Sequence, residues 1–249
     1  MNVIIYGANG KLGRALAECA KGDIRIVAGV DKNKEEKSFP VYDGLSQVKE
    51  KADVIIDCSF HNTVHDLLNG AKAMSLPAVI ATTGHTEEEK AFIIEASRHQ
   101  PIFMSANMSL GINLLAELSQ AATELLQDAF DIEIVESHHN KKADAPSGTA
   151  LLLADAIKSK LRGTCSYMYD RTKKKSPREK AEIGIHSVRG GAIFGEHEVI
   201  FAGQGEVIRL SHSALSRSVF AEGALAAALF MLGKPAGFYN MKNLIKSIT

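Results

Sequence analysis

The densest group of side chains that could do chemistry lies in residues 136–150, which read ESHHNKKADAPSGTA. Histidine is the side chain best suited to proton transfer near neutral pH, and His138 and His139 stand next to each other. Lys142 adds a cation nearby. The segment 147–149, Ser-Gly-Thr, opens a predicted helix, whose unpaired N–H groups can hold a carboxylate. These residue types predict an anion-binding site with a proton donor, and the alternative is a solvated polar loop.

Metal binding is not expected from the histidines or the cysteines. Adjacent side chains on an extended strand point in opposite directions, so His138 and His139 would not share one ion. His61 and His65 have the spacing of a metal pair on a helix, but no third ligand is near, which favours a solvent-facing helix start. The three cysteines are widely spaced and indicate reduced, mostly buried thiols.

A second group of residues is suited to binding a nucleotide. Gly7, Gly10 and Gly13 stand between a short apolar strand and a helical pattern. Glycines at this place allow a tight turn and a close approach of the backbone to a pyrophosphate at the helix N-terminus. The spacing is G-x-x-G-x-x-G rather than the usual G-x-G-x-x-G. Nucleotide binding is therefore the favoured interpretation, and an ordinary strand-to-helix turn is the alternative.

The residues after the second predicted strand bear on the choice of cofactor. Asp31 lies 21 residues beyond Gly10, where an acidic side chain can accept hydrogen bonds from ribose hydroxyl groups. Asp31 alone favours NADH, because it would repel a 2′-phosphate. Lys32 and Lys34 can offset that repulsion and admit NADPH, or they belong to a solvated loop. The sequence leaves the two cofactors open.

Two kinds of pattern surround these residues. Up to about residue 108, short continuous apolar runs alternate with amphipathic helices, which predicts a doubly wound parallel sheet. The predicted strands are Val3–Tyr6, Ile24–Val30, Asp53–Asp57, Ala78–Ala81 and Pro101–Met104. The predicted helices include about Asn62–Met74 and one opened by a capping box at Thr86–Glu89.

Beyond residue 108 the patterns indicate an α+β unit on an open sheet. A long helical pattern precedes an alternating strand, Ile132–Glu136, and a helix over about Gly148–Leu161. Two antiparallel strands are predicted at Glu198–Ala202 and Glu206–Leu210. A final helix, Ser218–Leu232, ends at a Gly-Lys-Pro stop. We expect a first domain of residues 1–108 plus 217–249 and an inserted domain of residues 109–216.

The overall charge argues against a polyanion-binding surface. The 249 residues carry 29 Lys and Arg against 29 Asp and Glu. Residues 137–180 are an exception, with 11 Lys and Arg against 4 Asp and Glu. Lys173–Lys175, with Arg171, Arg178 and Lys180, could be a nucleic-acid patch, but no aromatic array accompanies them. A solvated loop beside the active site is the favoured interpretation.

Targeting signals and membrane spans are not expected either. The N-terminus lacks a basic region, and the longest apolar run is far shorter than the ~20 residues of a membrane span. We expect a soluble cytoplasmic protein without nucleic-acid or membrane partners.

The segment from His138 to Ala150 closely resembles the H-H-x-x-K-x-D-A-P-S-G-T signature of the dihydrodipicolinate reductase family, the 4-hydroxy-tetrahydrodipicolinate reductases of bacterial lysine and diaminopimelate synthesis. The resemblance covers essentially the whole chain. Its other motifs are the glycine loop Gly7–Gly13, Ala81–Gly84, Ser105–Met108, Val188–Gly191, Gly195–His197 and Ser216-Arg217. It implies a homotetrameric reductase with a Rossmann-type domain for NADH or NADPH and an α+β domain for substrate binding and oligomerisation.

The resemblance also implies roles for individual residues. His138 would donate a proton with help from Lys142, after hydride transfer to C4 of a small dicarboxylate substrate. The substrate carboxylates would be held by His139, Lys142, Gly148 and Thr149. The cofactor contacts would be Gly7, Ala8, Asn9, Gly10, Lys11, Leu12, Asp31, Lys32, Ala81, Thr82, Thr83, Ser105, Ala106, Asn107, Met108 and Arg217. No metal is implied.

Three positions depart from the family pattern. Lys11 replaces a frequent Arg, Ala81 a usual Gly and Met108 a frequent Phe. We expect Ala81 and Met108 to affect cofactor affinity and preference more than the reaction. Two alternative functions are another Rossmann-type amino- or imino-acid dehydrogenase and a nucleotide-binding sensor without catalysis. Ala81 is compatible with the sensor, and the intact pair of His138 and Lys142 argues against it.

Overall fold

A computed structural model describes residues 1–33, 35, 37–172 and 174–248 of the chain. Lys34 and Lys173, which the sequence singles out, lie outside these residues. The chain divides into two compact units, one of Met1–Leu110 with Arg217–Thr249 and the other of Gly111–Ser216. Among the described residues, no helix combines the length and the hydropathy that a membrane span requires.

The strands and helices are numbered in chain order. The strands are β1 (Asn2–Tyr6), β2 (Arg25–Val30), β3 (Val41–Tyr42), β4 (Val54–Asp57), β5 (Ala78–Ile80), β6 (Pro101–Met104), β7 (Asp131–His138), β8 (Ser166–Met168), β9 (Glu182–Arg189), β10 (Glu196–Ala202), β11 (Val207–Ser213) and β12 (Gly237–Tyr239). The helices are α1 (Lys11–Cys19), α2 (Val64–Ala73), α3 (Glu87–Ser97), α4 (Leu110–Leu126), α5 (Gly148–Lys158), α6 (Ser218–Met231) and α7 (Met241–Ile248).

The first unit is built on a parallel sheet in the order β12-β6-β5-β4-β1-β2-β3. Side chains alternate between its faces, so Val3 and Ile5 join an apolar cluster with α1, α6 and α7, whereas Ile4 joins a second cluster with α2 and α3. Burial on both faces explains the continuous apolar runs of the central strands. The predicted doubly wound parallel sheet is confirmed.

The order of these strands determines where a ligand can bind. The chain leaves β1 toward β2 and β3 on one side, and continues from β4 through β6 on the other. In such sheets the ligand lies beyond the carboxyl ends of the strands, at the point where the direction of winding reverses. That point lies between β1, which is followed by the glycine loop, and β4.

The second unit contains a mixed sheet in the order β11-β10-β7-β9-β8. Strand β7 is antiparallel to β10 and parallel to β9. One face is apolar and packs against α4 and α5, with Ile134, Val199 and Phe201 at its centre. The expected open mixed sheet of an α+β unit is confirmed.

In the first unit, the capping box of α3, from Thr86 to Glu89, is present as predicted.

Several elements were not predicted, for physical reasons. Strands β3, β8 and β12 have two or three residues each, too few to show a period. Strand β9 has a buried glycine, Gly184, because the Glu133 carboxylate of the neighbouring strand occupies the space a side chain would need. A pattern of apolar residues does not reveal such a strand. The C-terminal helix α7 is short and was also missed.

Candidate active site

The alternation of β7 brings the central site residues together in the second unit. Glu136 and His138 are two residues apart on this strand, so their side chains lie on the same face. His197 on β10 is the register partner of Glu136, and Arg189 on β9 is the partner of His138. The face they share is the one that α5 covers with its N-cap residue, Ser147. Four elements thus meet at one end of the sheet.

Glu136 is a fully buried carboxylate surrounded by donors. Arg189 donates from both terminal nitrogens to its two oxygens, at 2.7 and 2.8 Å. The N–H of Ser147 donates at 3.1 Å, and Nδ1 of His138 lies 2.6 Å from Oε2. Burial alone would raise the pKa of Glu136, but hydrogen bonds from Arg189, Ser187, His138 and Ser147 lower it to about 2. Glu136 is therefore ionised.

The charge on Glu136 fixes the orientation of the His138 ring. An ionised carboxylate can only accept, so Nδ1 of His138 carries the proton of their hydrogen bond. The other ring nitrogen, Nε2, faces Gly195, where an added Cβ would lie only 3.1 Å away. Glycine at this position keeps the space beside Nε2 open. The His138 side chain is 12% exposed, and Nε2 is the ring atom able to exchange a proton with a bound molecule.

His197 packs beside this pair as a neutral ring. Its plane is nearly perpendicular to that of His138, with 5.2 Å between the ring centroids, and its Nε2 lies 2.9 Å from the Ser147 hydroxyl. Burial, with a smaller contribution from the neighbouring His138, lowers the pKa of His197 to about 4. His197 therefore adds no positive charge next to the proton-donor candidate.

The remaining predicted substrate residues lie in the loop that follows β7. Its start is held by backbone hydrogen bonds, from the Gly190 N–H to the His138 carbonyl and from the Lys142 N–H to the His139 carbonyl. The Lys142 ammonium is 2.8 Å from an exposed Asp144 carboxylate, and this hydrogen bond lowers the pKa of Asp144. The loop thus presents a cation next to the buried dyad of His138 and Glu136.

Helix α5 begins where this loop ends. The Ser147 hydroxyl accepts from the N–H of Ala150 and caps the helix. Among the described residues, nothing beyond the chain neighbours and the backbone of α5 lies within 4 Å of a Cβ placed on Gly148, so the space there is open to a ligand. Thr149 follows in the first turn. The structure thus brings His138, His139, Lys142, Gly148 and Thr149 together at one end of the second unit.

The basic stretch of residues 171–180 has a different role from the one expected. Arg178 bridges Asp131 and Glu133, Arg171 bridges Glu133 and Glu182, and Lys174 also pairs with Glu182. Only 17% of the Arg178 side chain is exposed. Glu133 lies on the face of β7 opposite to Glu136, so these ion pairs do not form part of the acid site. The interpretation as a solvated loop beside the active site is therefore wrong for Arg171, Lys174 and Arg178.

In the first unit, the predicted cofactor residues follow the carboxyl ends of parallel strands along one edge of the sheet. Ser105, Ala106, Asn107 and Met108 follow β6, and Ala81, Thr82 and Thr83 follow β5. The loop from Gly7 to Leu12 follows β1, and Asp31 with Lys32 follows β2. Arg217 is the N-cap residue of α6, and that helix packs closely on the Met108 backbone at Gly223. The order of the strands thus places the four loops along one edge of the sheet, where the resemblance assigns a single ligand.

The glycine loop has the features that a dinucleotide needs. The N-cap residue of α1 is Gly10, which has no side chain to cap the helix, and the first turn has no acidic residue, so the N-terminal N–H groups suit a pyrophosphate. Gly7 has a φ of +91°, which a residue with a side chain rarely adopts. Asp31 accepts from the Asn9 N–H at 2.9 Å, and Oδ1 of Asn9 is buried with no partner among the described residues. These two acceptors suit ribose hydroxyl groups.

Sequence reasoning missed residues in both units. In the first, the loop after β4 supports the glycine loop, because a Cβ on Gly7 would lie 2.8 Å from the Cys58 backbone. Next to it, burial raises the pKa of Asp57, although Ser59 donates to it. The place of β4 next to the point where the winding of the sheet reverses was the signal that could have identified these residues.

In the second unit, no role was predicted for Glu136 or Arg189, although Glu136 stands two residues before His138 on a predicted strand.

The other histidines of interest have partners of their own. Nδ1 of His61 lies 2.9 Å from Glu89, and the His65 ring stacks on Phe92 at 4.0 Å between centroids. In the part of the chain that the structure describes, no group of three or more His, Cys, Asp and Glu side chains is arranged to bind a metal ion.

Comparisons with known proteins agree with both halves of the chain. The family model "Dihydrodipicolinate reductase, N-terminus" matches residues 1–108, and "Dihydrodipicolinate reductase, C-terminus" matches residues 111–245. The chain is 54% identical over 248 residues to the 4-hydroxy-tetrahydrodipicolinate reductase of Caldanaerobacter subterraneus subsp. tengcongensis, covering 99% of this chain and 98% of the relative. It is 47% identical over 250 residues to the enzyme of that name from Clostridium tetani, covering 99% and 98%.

A solved structure supports the fold. The dipicolinate-bound dihydrodipicolinate reductase from Paenisporosarcina sp. TG-14 superposes with a TM-score of 0.82 at 23% identity, covering 98% of both chains. Both family models and the two relatives extend over nearly all of the sequence. This chain belongs to the dihydrodipicolinate reductase family.

Proposed function

We propose that this protein catalyses the NADH- or NADPH-dependent reduction of 4-hydroxy-tetrahydrodipicolinate (dihydrodipicolinate) to tetrahydrodipicolinate in lysine and diaminopimelate biosynthesis. The observation that carries the proposal is the dyad of His138 and the ionised Glu136, next to Lys142 and the N-terminus of α5. Such a site suits a small dicarboxylate that must receive a proton. The relatives that share 43–54% identity with this chain carry the name of that activity.

We assign the proton transfer to His138. A bound nicotinamide cofactor supplies a hydride to C4 of the substrate. His138 then protonates the neighbouring carbon: the Nε2–H bond breaks, a C–H bond forms, and the ring is left neutral with its remaining proton on Nδ1, toward Glu136. The hydrogen bond to Glu136 thus stabilises the ring both before and after the transfer.

We assign the substrate carboxylates to Lys142, His139, Gly148 and Thr149. The Lys142 ammonium already holds the Asp144 carboxylate at 2.8 Å, which supports its role as a carboxylate partner. A substrate carboxylate then shares or replaces that contact. The N-terminus of α5 adds backbone donors and the positive end of the helix dipole for the second carboxylate.

We assign the dinucleotide to the carboxyl edge of the first sheet, with the residues from Gly7 to Leu12 around the pyrophosphate. Asp31 suits the adenosine ribose of NADH, and the exposed Lys32 next to it is a cation for a 2′-phosphate. We therefore expect both NADH and NADPH to serve as hydride donors. The three free cysteines support a reducing compartment, such as the cytoplasm, as the place where the protein works.

The experiment follows the absorbance of NADH and of NADPH while the substrate is generated in situ from aspartate semialdehyde and pyruvate. We expect oxidation of at least one cofactor that depends on both precursors. Binding of NADH without any turnover would contradict the proposal and favour a nucleotide-binding sensor. Turnover with another amino or imino acid, but not with this substrate, would favour a different dehydrogenase of the same fold.

A further inference from the structure

The hydrogen bonds of Glu136 connect it to the side chain that we assign as the proton donor. Glu136 has no exposed surface, and its two oxygens accept hydrogen bonds from Arg189, the Ser147 N–H and Nδ1 of His138. A buried ion pair needs further donors for the lone pairs that its cation leaves free. One of these donors is Nδ1 of His138, at 2.6 Å, so the carboxylate is in direct contact with the proposed proton donor.

The hydrogen bond from Nδ1 of His138 to Glu136 distinguishes the two nitrogens of the ring, because they have different surroundings. Nδ1 faces a carboxylate that cannot donate, whereas Nε2 faces the space that Gly195 leaves open. In a free neutral imidazole either nitrogen can carry the proton, and the partner of one nitrogen decides the state of the other. A ring held at Nδ1 loses its proton from Nε2 alone.

Arg189 keeps Glu136 in the orientation that this function needs. Its two terminal nitrogens donate to Glu136 in a bidentate arrangement, and one of them also donates to the Asp144 carbonyl at 2.7 Å. Arg189 therefore attaches the carboxylate to the loop that carries Lys142. The planar geometry of a bidentate pair restrains the carboxylate more than a single contact does.

We propose that Glu136, anchored by Arg189, is a positioning residue: it holds the Nδ1–H of His138, so that the protonated ring gives its Nε2 proton to the substrate and is left neutral with its proton on Nδ1. This inference rests on the proposed function, because it assigns a partner to the proton donor of that reaction. Glu136 itself does not contact the substrate. It acts through His138.

A double-mutant cycle with Glu136→Gln and His138→Gln tests the proposal in the full-length protein. We expect Glu136→Gln to lower kcat roughly 10- to 100-fold, less than the loss of the acid itself, with KM unchanged. The solvent deuterium isotope effect on kcat should rise, because proton transfer becomes slower, whereas a variant with a smaller folded fraction would keep the wild-type isotope effect. The double variant should be no slower than His138→Gln alone.

Glu133→Gln is the matched control. Glu133 lies on the same strand and is also ion-paired, but on the opposite face of the sheet. We expect it to keep the wild-type kcat and isotope effect. If the kcat losses of the two single variants multiply in the double variant, the positioning role is overturned. An unchanged isotope effect in Glu136→Gln would also overturn it. A wild-type kcat in His138→Gln would instead overturn the proposed function, so the two failures are distinguishable.

A second variant tests the same contact without leaving an unpaired charge that could prevent folding. Glu136→Gln leaves the Arg189 guanidinium without its anion, so Glu136→Gln/Arg189→Gln removes both charges together. The tautomer of neutral His138 is then read from ¹⁵N NMR of the ring. We expect the Nδ1–H form in the wild type and a loss of that preference in both variants. The same tautomer in all three proteins would overturn the proposal.

Discussion

His197 and Glu136, both buried at the end of the second sheet, make its stability depend on pH in two separate ranges. The pKa of His197 is lowered by burial to about 4, from 6.5 in the unfolded chain. The pKa of Glu136 is lowered to about 2 from 4.5, because its donors outweigh the effect of burial. In each case the unfolded chain binds the proton more tightly, so stability falls on acidification. Stability that depends on neutral His197 is lost between about pH 6.5 and 4, and stability that depends on ionised Glu136 is lost between about pH 4.5 and 2.

His197→Gln should reduce the sensitivity to mild acid. Going from pH 7.5 to pH 5, protonation of His197 in the unfolded chain alone lowers the wild-type free energy of unfolding by about 2 kcal/mol. We expect the variant to lack this contribution, and urea unfolding at the two pH values measures it. Since all other titrating groups are common to both proteins, equal pH dependence in wild type and variant would contradict the burial of a neutral His197.

At the level of single residues, the sequence predicted the proton donor and the residues next to it in the chain, but not the residues from other strands that surround them. His138, Lys142 and Ser147 stand close together in the chain, so their association in one loop follows from local spacing. Arg189 and His197 lie on two other strands and are each more than 50 residues away from Glu136 and His138 in the chain. Only the register of β7 with β9 and β10 brings them to the site. No spacing in the sequence specifies that register.

Among the elements, α1 packs closely on the glycine loop of the proposed nucleotide site. A Cβ on Gly13 would lie 2.8 Å from the Ala8 carbonyl oxygen and would also meet the Gly7 carbonyl. The first turn of α1 can therefore lie against the loop only when this residue is glycine. The loop geometry and the N–H groups at the helix N-terminus depend on the same contact.

Gly13→Ala should displace α1 from the loop and weaken dinucleotide binding. We expect the Kd for NADH, measured by fluorescence titration, to rise at least about 10-fold, and the free energy of unfolding to fall by about 1–3 kcal/mol from overpacking. Gly44→Ala is the control, since a Cβ there has no atom within 4 Å and the backbone is extended. Wild-type NADH affinity in Gly13→Ala would show that this packing does not shape the binding site.

The elements that the sequence predicted well share one property. Strands β1, β4 and β6 are continuously apolar because both faces of the sheet are covered, and α3 begins with its own capping box. Such signals are local. Strand β9 and the basic stretch before it depend on contacts with Glu133 across the sheet, and β12 joins the first sheet from the far end of the chain. Those contacts are invisible to a pattern of neighbouring residues.

For the whole molecule, the ion pairs of Arg171, Lys174 and Arg178 explain much of the local basic excess. They neutralise Asp131, Glu133 and Glu182 and do not form an open cationic surface. The same outer face of the second sheet, opposite to α4 and α5, also exposes Val188 and Val207, at 47% and 53%. This combination of exposed valines and ordered ion pairs suits contact with another copy of the chain.

The family resemblance implies a homotetramer, and we propose that this outer face takes part in its assembly. Light scattering at micromolar concentration should give four times the chain mass of 26.8 kDa. Val207→Asp places a charge on the outer face, and we expect it to lower the assembled mass while leaving the fold intact by circular dichroism. A wild-type mass equal to one chain would contradict the tetramer.

Proton donation by His138 is tested by comparing His138→Gln with the wild type. Both are assayed side by side for NADH and NADPH oxidation, with substrate generated in situ, and dipicolinate binding is measured by calorimetry. We expect a loss in kcat on the order of 10²- to 10⁴-fold, with dipicolinate affinity within about threefold of the wild type. A variant with wild-type kcat would contradict it.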